Sequence, residues 1–331
     1  MRYFFEYANN NCMIDAPALP AIAERRPARI HAFFDVAEHA VSVSHIWAAE
    51  IADVVCALMG PGRHRLAVDR CDLLGYQALE RSGLVLVEGQ RLMELARSLK
   101  SDEEIACARQ ALAVADIGMR RMRDILEPGI TENELWAELH HANIAHGGEW
   151  IETRLLTSGP RTNPWFQESS DRPIQAGELV SFDTDLIGPY GYCADVSRTF
   201  FCGSGSPTTG QRELYSLAAE QVAHNCNLLR PGRTFREYRE KAWTMPARFR
   251  EQDYGTILHG VGMVDEWPAI GWDCNDPTAQ DGVLLPGMTV CVESYIGEVG
   301  GREGVKLEQQ VLISETGHEV MSAFPLESSL L

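Results

Sequence analysis

Residues 179–200 read LVSFDTDLIGPYGYCADVSRTF. Asp183 and Asp185 interrupt an apolar run that is typical of a buried strand, and the turn at residues 188–191 folds the chain back so that Asp195 can lie on the partner strand. Because side chains alternate along a strand, Asp183 and Asp185 lie on the same face. Buried carboxylates need compensating cations, so this stretch predicts a hairpin that binds metal.

Three further donors follow this hairpin at long intervals. Glu293 interrupts a second apolar run at residues 288–292, His259 precedes that run and Glu308 follows it. Taken singly, an acid at a strand end more often caps a turn, and a lone histidine is more often a core residue. The complete set favours a site for two divalent ions of the Fe, Mn, Co or Zn type. The predicted ligands are Asp183, Asp185, Asp195, His259, Glu293 and Glu308.

An internal repeat accompanies these donors. Residues 126–131 (LEPGIT) and residues 229–234 (LRPGRT) each open a helix, and each helix is followed by a strand hairpin that carries acids. Two similar halves related by a pseudo-twofold axis would bring both hairpins to one centre. The sequence therefore predicts an α+β domain with internal duplication.

The chain is predicted to have two domains. Residues 1–98 alternate short apolar runs with helical stretches, which is typical of a small α/β domain. Ser101 and Glu104 form a capping box that starts a long helix, and the apolar stripe of this helix is typical of core packing. We expect the catalytic domain to comprise residues 99–331.

Composition excludes several classes of protein. The formal net charge of −18 argues against a nucleic-acid partner, because phosphate binding needs a basic surface. The N-terminus lacks the apolar segment of a signal peptide, and no uninterrupted apolar run is long enough to span a bilayer. Nine cysteines without a C-x-x-C pair favour a reducing cytoplasm, and we interpret Cys193 and Cys291 as core residues.

The donors and their surroundings resemble the pita-bread metalloenzymes, which include methionine aminopeptidase, aminopeptidase P, prolidase and creatinase. The similarity covers roughly residues 98–325 and includes the sequence His-Gly-Val-Gly that starts at His259. It implies a curved antiparallel sheet flanked by two pairs of helices. It also implies that the metal ligands are Asp183, Asp195, His259, Glu293 and Glu308.

Two departures from the peptidase pattern weaken a peptide-hydrolysis interpretation. Glu266 stands where peptidases of this group usually have a second histidine, and residues 162–168 lack the histidine that many have in this loop. The departures, together with the sequence DTDLIGPYG at residues 183–191, resemble the DddP-type dimethylsulfoniopropionate lyases. That resemblance implies iron, ligation by both Asp183 and Asp185, Asp265 as the catalytic base and Tyr254 in the substrate pocket.

The substrate of such a lyase is a small zwitterion. Metal ions would stabilise the charge that develops at its carboxylate, and Asp265 would remove the neighbouring proton. Aromatic rings would enclose its sulfonium, and the candidates are Trp165, Tyr254, Trp267 and Trp272. Asp265 could instead cap a turn or helix, and each aromatic residue could be a core residue. Arg198 is interpreted as a partner that orients a ligand carboxylate, with a surface ion pair as the alternative.

Three functions remain open from the sequence. The first is an iron-dependent carbon–sulfur lyase, the second is a hydrolase of the Xaa-Pro peptidase or creatinase type, and the third is a non-catalytic binding protein on the same fold. The resemblance also leads us to expect a homodimer. Residues 1–4 resemble an interior strand of the N-terminal domain, so we expect that domain to be truncated.

Overall fold

The structure is a computed structural model that describes residues 3–6, 24–27, 36–273, 275–276 and 278–331. The chain divides into two compact units, Met1–Met93 and Glu94–Leu331. The predicted division after residue 98 stays a prediction. The predicted interior strand at residues 1–4 lies partly outside the described residues, because the described strand begins at Tyr3.

The first unit has the α/β character that the sequence predicts. Its strands pair in parallel, β1 with β2 and β3 with β4, and one helix connects the second pair. A small core of Ala48, Ala78, Leu79 and Leu84 joins the two helices to the second pair of strands. The elements are β1 (Tyr3–Glu6), β2 (Glu24–Pro27), α1 (Ala37–Met59), β3 (Arg65–Val68), α2 (Leu73–Arg81), β4 (Val85–Glu88) and α3 (Gln90–Arg97), which runs across the division into the second unit.

Helix α1 bears on the predicted absence of a membrane span. It is long and apolar enough, by length and composition alone, to cross a membrane, although it carries Glu50 and Asp53. Core helices of soluble proteins, which are mostly buried, pass the same test, whereas 17% of the apolar segment of α1 is buried. A single helix of this kind is weak evidence for a membrane span. The absence of a span stays a prediction.

Four helices of the second unit begin with capping boxes. In each box the side chain of the first residue accepts a hydrogen bond from the backbone N–H three residues later. The side chain of that later residue accepts a hydrogen bond from the backbone N–H of the first. The box at Ser101 is the one that the sequence predicts, and Thr131 and Thr234 cap the helices that the internal repeat predicts. These helices are α4 (Asp102–Ile125), α5 (Glu132–Ala145), α6 (Thr209–Asn227) and α7 (Phe235–Lys241).

The strands of the second unit form antiparallel sheets. The order is β5-β6-β9 in one sheet, β7-β8 in a short hairpin, and β11-β10-β12-β13-β14 in the largest sheet. The hydroxyl of Thr199 bridges the sheets, because it donates to the carbonyl of Lys306 and accepts from its N–H. The strands are β5 (Leu156–Ser158), β6 (Leu179–Asp183), β7 (Leu186–Ile187), β8 (Cys193–Ala194), β9 (Ser197–Phe201), β10 (Thr256–Val261), β11 (Asp265–Gly271), β12 (Thr289–Ile296), β13 (Val305–Ile313) and β14 (His318–Val320).

Two large hydrophobic cores match the two halves of the repeat. In one core α4 and α5 pack against β6, β8 and β9, and in the other α6 and α7 pack against β10, β12 and β13. Helices α4 and α5 approach closely at Gly118, where an added Cβ would lie 2.5 Å from a methyl group of Leu139. Each half thus contributes one helix pair and one acid-bearing hairpin, as the predicted α+β fold with internal duplication requires.

Candidate metal centre

The first hairpin brings its aspartates together. Asp183 ends β6 and is buried, and the Thr184 hydroxyl donates to the carbonyl of Ala194. Asp185 follows outside the strand with φ at 37°, and its carboxylate lies within 4.8 Å of ligand atoms of Asp183 and Asp195. Asp195 follows β8 and is also buried. The turn between them is a single 3-10 turn, Pro189–Gly191, with Tyr190 and Gly191 in the left-handed region. The predicted hairpin thus brings the three aspartates together, but strand alternation does not extend to Asp185, because β6 ends at Asp183.

The second hairpin brings two glutamates directly opposite each other. In the antiparallel pairing of β12 with β13, Glu293 faces Glu308, and both side chains are buried. Like charges opposite each other in a sheet destabilise it unless a cation lies between them. The register of this hairpin therefore creates a need for positive charge at this point.

His259 on β10 connects the two hairpins. Its Nε2 lies 3.5 Å from Asp195 Oδ2, 3.3 Å from Glu293 Oε1 and 3.6 Å from Glu308 Oε1. Its Nδ1 donates to the carbonyl of Gly260 at 3.1 Å. Burial alone would lower the pKa of His259, but the neighbouring carboxylates of Glu293 and Glu308 raise it well above its usual value. One ring nitrogen thus faces the acids while the other is anchored to the backbone, which is the usual arrangement of a metal-binding histidine.

Lys306 is a charged residue at the centre that the sequence analysis missed. Its Nζ lies 2.9 Å from Asp183 Oδ2, 2.5 Å from Glu293 Oε2, 3.4 Å from Glu308 Oε2 and 2.6 Å from Ser197 Oγ. Burial would lower the pKa of this ammonium, but the surrounding carboxylates raise it well above its usual value. The sequence could have identified Lys306 by its position two residues before Glu308, because residues i and i+2 of a strand share a face.

The carboxylates retain oxygens that no hydrogen bond satisfies. Asp183 Oδ1, Asp195 Oδ1 and Glu308 Oε1 are buried without a partner, which is unfavourable unless a cation binds them. Burial, followed by the charge of Glu308, raises the pKa of both Asp183 and Asp195, and burial raises that of Asp185 to about 8. Burial and the charge of Glu293 raise the pKa of Glu308, but Lys306 and His259 lower it by more, so this pKa lies below its usual value.

The spacing of the donors fits metal ions. Three groups among the described residues have ligand atoms within 4.8 Å of one another. The first contains Asp183, Asp185 and Asp195, the second Asp195, His259, Cys291 and Glu308, and the third Asp183, Glu293 and Glu308. All six predicted donors are present in these groups, and together with the unsatisfied oxygens they fit divalent cations.

Cys193 and Cys291 lie in a small apolar cluster with Ile187 and Val261, and Cys291 is also a member of the second donor group. Burial raises the pKa of both thiols well above the usual value, so they stay protonated. The Cys291 thiol donates to the carbonyl of Asp195 at 3.7 Å. This environment agrees with the interpretation of both cysteines as core residues.

Asp265 and Glu266 point to opposite sides of β11. The Asp265 side chain is 60% exposed, and its Oδ1 lies 3.5 Å from His259 Nδ1. Glu266 is buried, accepts from Lys100 Nζ at 2.7 Å and turns away from the acids. Asp265 begins a strand and caps no helix, so the alternative interpretation as a helix cap is wrong.

The four predicted aromatic residues separate into two pairs. Trp165 and Tyr254 belong to one cluster, and Lys306 Nζ lies 4.8 Å from the ring centroid of Tyr254 and 5.9 Å from that of Trp165. Trp267 instead packs on Phe235 at 5.2 Å, in the core of the second half. Trp272 packs against the same core and donates its indole N–H to the carbonyl of Tyr254.

Phe166 is an aromatic residue that the sequence analysis did not select. Its ring stacks on Tyr254 with centroids 5.9 Å apart, and its side chain is exposed. Its backbone is left-handed, with φ at 76°, which is rare for a bulky residue. Tyr254 thus lies next to both the exposed ring of Phe166 and the Lys306 ammonium.

Arg198 donates hydrogen bonds mainly to backbone carbonyls and not to a carboxylate. It is fully buried and donates to the carbonyls of Glu308 at 2.7 Å and Phe324 at 2.6 Å. It also donates to Gln309 Oε1 at 3.1 Å. The alternative of a surface ion pair is wrong. Arg198 fixes the strand that carries Glu308, so it can orient that glutamate only through the backbone.

Comparison with known proteins agrees with this geometry. Residues 106–315 match the model of metallopeptidase family M24. The chain belongs to metallopeptidase family M24. The pita-bread fold expected from the sequence is therefore confirmed. The expectation that the protein is an enzyme of this family is confirmed as well. Members use divalent metals, which the buried donors of this chain fit.

Two curated relatives are lyases by name. Dimethylsulfoniopropionate lyase DddP of Roseovarius nubinhibens is 41% identical over 318 residues, which cover 94% of this chain and 71% of the relative. The protein of the same name from Roseobacter denitrificans is 39% identical over 318 residues, which also cover 94% of this chain and 71% of the relative. Among solved structures, the Xaa-Pro dipeptidase from Bacillus anthracis matches with a TM-score of 0.74 and 27% identity, over 85% of this chain and 78% of that one.

Proposed function

We propose that this M24 enzyme is a carbon–sulfur lyase that cleaves dimethylsulfoniopropionate to dimethyl sulfide and acrylate. The observation that carries the proposal is the arrangement at the start of β11. Asp265 Oδ1 lies 3.5 Å from Nδ1 of the predicted ligand His259, whereas Glu266, at the place of the second peptidase histidine, turns away into an ion pair with Lys100. A carboxylate is thus available for proton abstraction, and the position of the second peptidase histidine holds an acid that cannot polarise a peptide bond in the same way. The similarity to the two DddP lyases supports the same activity.

The proposed centre holds two divalent ions. Iron is our first choice, and manganese, cobalt and zinc are alternatives. When bound, the ions would supply positive charge that stabilises the negative charge developing on the substrate carboxylate. The proposed ligands are Asp183, Asp185, Asp195, His259, Glu293 and Glu308.

The proposed reaction is a β-elimination with Asp265 as the base. Asp265 takes the proton from the carbon next to the substrate carboxylate, and the electrons of that C–H bond form the double bond of acrylate. The C–S bond breaks as the double bond forms. Its electron pair leaves with sulfur, so the sulfonium departs as neutral dimethyl sulfide. The exposed side chain of Asp265 gives the base access to substrate.

The sulfonium end of the substrate needs an environment that favours cations. Tyr254 and Trp165 are the proposed aromatic residues, because both lie beside the acid cluster. Lys306 already covers one face of Tyr254, so we place the sulfonium on the side of Phe166. Trp267 and Trp272 pack in the second core, and a contact between them and substrate stays a prediction.

A metal-dependent hydrolase of the Xaa-Pro peptidase type is the second candidate. It is favoured by the similarity to solved structures, which include the dipeptidase from Bacillus anthracis. A non-catalytic binding protein is the third candidate. It is less favoured because such relatives typically lose metal ligands, whereas all six donors are grouped in this chain.

The decisive experiment supplies the metal-loaded protein with dimethylsulfoniopropionate and, separately, with Xaa-Pro dipeptides. We expect dimethyl sulfide and acrylate in equal amounts and no release of amino acids. Amino-acid release without dimethyl sulfide would instead establish the hydrolase. Protein that binds metal but converts neither substrate would contradict both activities.

Assembly and location complete the proposal. We propose a cytoplasmic homodimer that binds no nucleic acid. The seven cysteines that the structure describes are free, which agrees with a reducing compartment. Light scattering during size-exclusion chromatography measures the mass in solution, and a monomer would contradict the dimer.

A further inference from the structure

One of the three groups of donors already contains a positive charge. Lys306 Nζ contacts Asp183, Glu293 and Glu308, which are the three members of one candidate metal group. The lysine is fully buried. Its ammonium thus lies where these three carboxylates could otherwise bind an ion.

The lysine is held at both ends. Its backbone is bridged to Thr199 through two hydrogen bonds, and its ammonium donates to Ser197 Oγ. The rings of Tyr254 and Trp165 cover the ammonium and exclude water from it. Charge interactions are strong where water is excluded, so Lys306 cannot be removed without a large effect on the acids.

The charges of the carboxylates, two divalent ions and this lysine sum to zero. The carboxylates Asp183, Asp185, Asp195, Glu293 and Glu308 carry five negative charges when ionised. Two divalent ions supply four positive charges, and Lys306 supplies the fifth. Asp183 Oδ1 and Glu308 Oε1 have no hydrogen-bond partner, so these acids can bind a metal on one oxygen and Lys306 on the other.

We propose that Lys306 is the resident third cation of the centre. It holds Asp183, Glu293 and Glu308 together before metal binds, and it closes their shared position to a third ion. The inference rests on the metal centre of the proposed function, but it does not depend on the substrate.

The test compares Lys306→Met with Lys100→Met. Methionine has a similar length and no charge, and Lys100 is a matched control because its buried ammonium pairs with Glu266 away from the acid cluster. Melting temperatures are measured after chelation and during titration with Mn²⁺. Bound Mn²⁺ is counted by elemental analysis.

We expect chelated Lys306→Met to melt roughly 5 °C or more below chelated wild type, because its acids lose their cation. Mn²⁺ should raise its melting temperature by more than it raises that of wild type. The variant should bind a third Mn²⁺ where wild type binds two. Lys100→Met should be destabilised with and without Mn²⁺, with a Mn²⁺ shift equal to that of wild type.

Other results would overturn the inference. If Lys306→Met and Lys100→Met respond alike to Mn²⁺, Lys306 is an ordinary structural ion-pair partner. If Lys306→Met binds only two ions, the lysine does not close a third position. Wild type that binds no Mn²⁺ would overturn the metal centre itself, which separates that failure from the failure of the lysine.

A double variant decides the outcome if Lys306→Met does not fold. Lys306→Met with Glu293→Gln removes one of the paired negative charges together with the positive one. Recovery of a folded protein in chelator supports the resident cation. Failure of the double variant to fold would contradict the resident cation, because a loss of charge balance would then not explain why Lys306→Met does not fold.

Discussion

At the scale of single residues, the orientation of two neighbours separates the candidate chemistries. Asp265 and Glu266 are adjacent in the chain but lie on opposite faces of β11, so one faces His259 and the other faces Lys100. A shift of the strand by one residue would exchange them. The register of β11 therefore determines which carboxylate can reach a substrate.

The first prediction concerns the base. Asp265→Asn is nearly isosteric but cannot accept the proton, so we expect turnover of dimethylsulfoniopropionate to fall by about 10² to 10⁴ with bound metal unchanged. Glu266→Gln is the control, and it should lower the melting temperature while turnover per folded protein is retained. A metal-loaded Asp265→Asn protein with wild-type turnover would exclude Asp265 as the base.

The second prediction concerns the aromatic wall. Tyr254→Ala should raise KM about 2- to 30-fold, the value expected for loss of one ring face from a cation. Metal content should stay unchanged, because Tyr254 is not among the grouped donors. A neutral analogue with carbon in place of sulfur should bind more weakly than the substrate to wild type. Equal inhibition by that analogue would refute the aromatic recognition of charge.

At the scale of elements, the first hairpin depends on a close approach to α4. Gly188 precedes the 3-10 turn, and a Cβ built there would lie 2.6 Å from Ala111 Cβ and 2.8 Å from Ala111 Cα. The contact involves helix backbone, so it cannot be relieved by a side-chain rotation. The packing of β7 and β8 on α4 thus fixes where Asp185 and Asp195 lie.

The third prediction tests this contact. Gly188→Ala should destabilise the protein by about 1–3 kcal/mol through overpacking, and it should weaken metal binding because the hairpin must move. Gly205→Ala is the matched control, since a Cβ there meets nothing within 4 Å. Chemical denaturation and metal titration of both variants provide the measurement. Equal stability of the two variants would show that the hairpin is not held by this contact.

At the scale of the whole molecule, the acid cluster couples stability to metal. The net charge of −18 includes the five carboxylates of the centre, four of which are buried, and the unsatisfied oxygens of Asp183, Asp195 and Glu308 are unfavourable without cations. Bound ions stabilise only the folded state, because the donors come from strands far apart in the chain. Metal binding should therefore be measurable as global stability.

The fourth prediction is the effect of metal removal. Two ions at 100 times their Kd contribute about 5 kcal/mol, so chelation should lower the melting temperature by roughly 10–20 °C. Elemental analysis of untreated protein should find close to two transition-metal ions per chain. Asp195→Ala and Glu308→Ala should each lose at least one ion and respond less to chelation. Metal-free wild type with unchanged stability would contradict the centre.

Local patterns in the sequence determined much of the fold and the composition of the candidate site. The strand-and-turn pattern predicted that Asp183, Asp185 and Asp195 come together, and the repeated helix openings predicted the two halves that carry the acids. The capping box at Ser101 predicted the start of α4. These features depend on neighbours within a few residues, so the chain itself specifies them.

Only the tertiary structure decided what each side chain meets. Lys306 is an unremarkable strand residue until the pairing of β12 with β13 and the approach of β6 surround it with acids. Trp267 looked equivalent to Trp165 in the sequence, but its strand directs it into the core against Phe235. Arg198 reaches the backbone of Glu308 because two sheets join there. The physical reason is that burial and charge pairing arise between strands distant in sequence, whose register and packing no local pattern specifies.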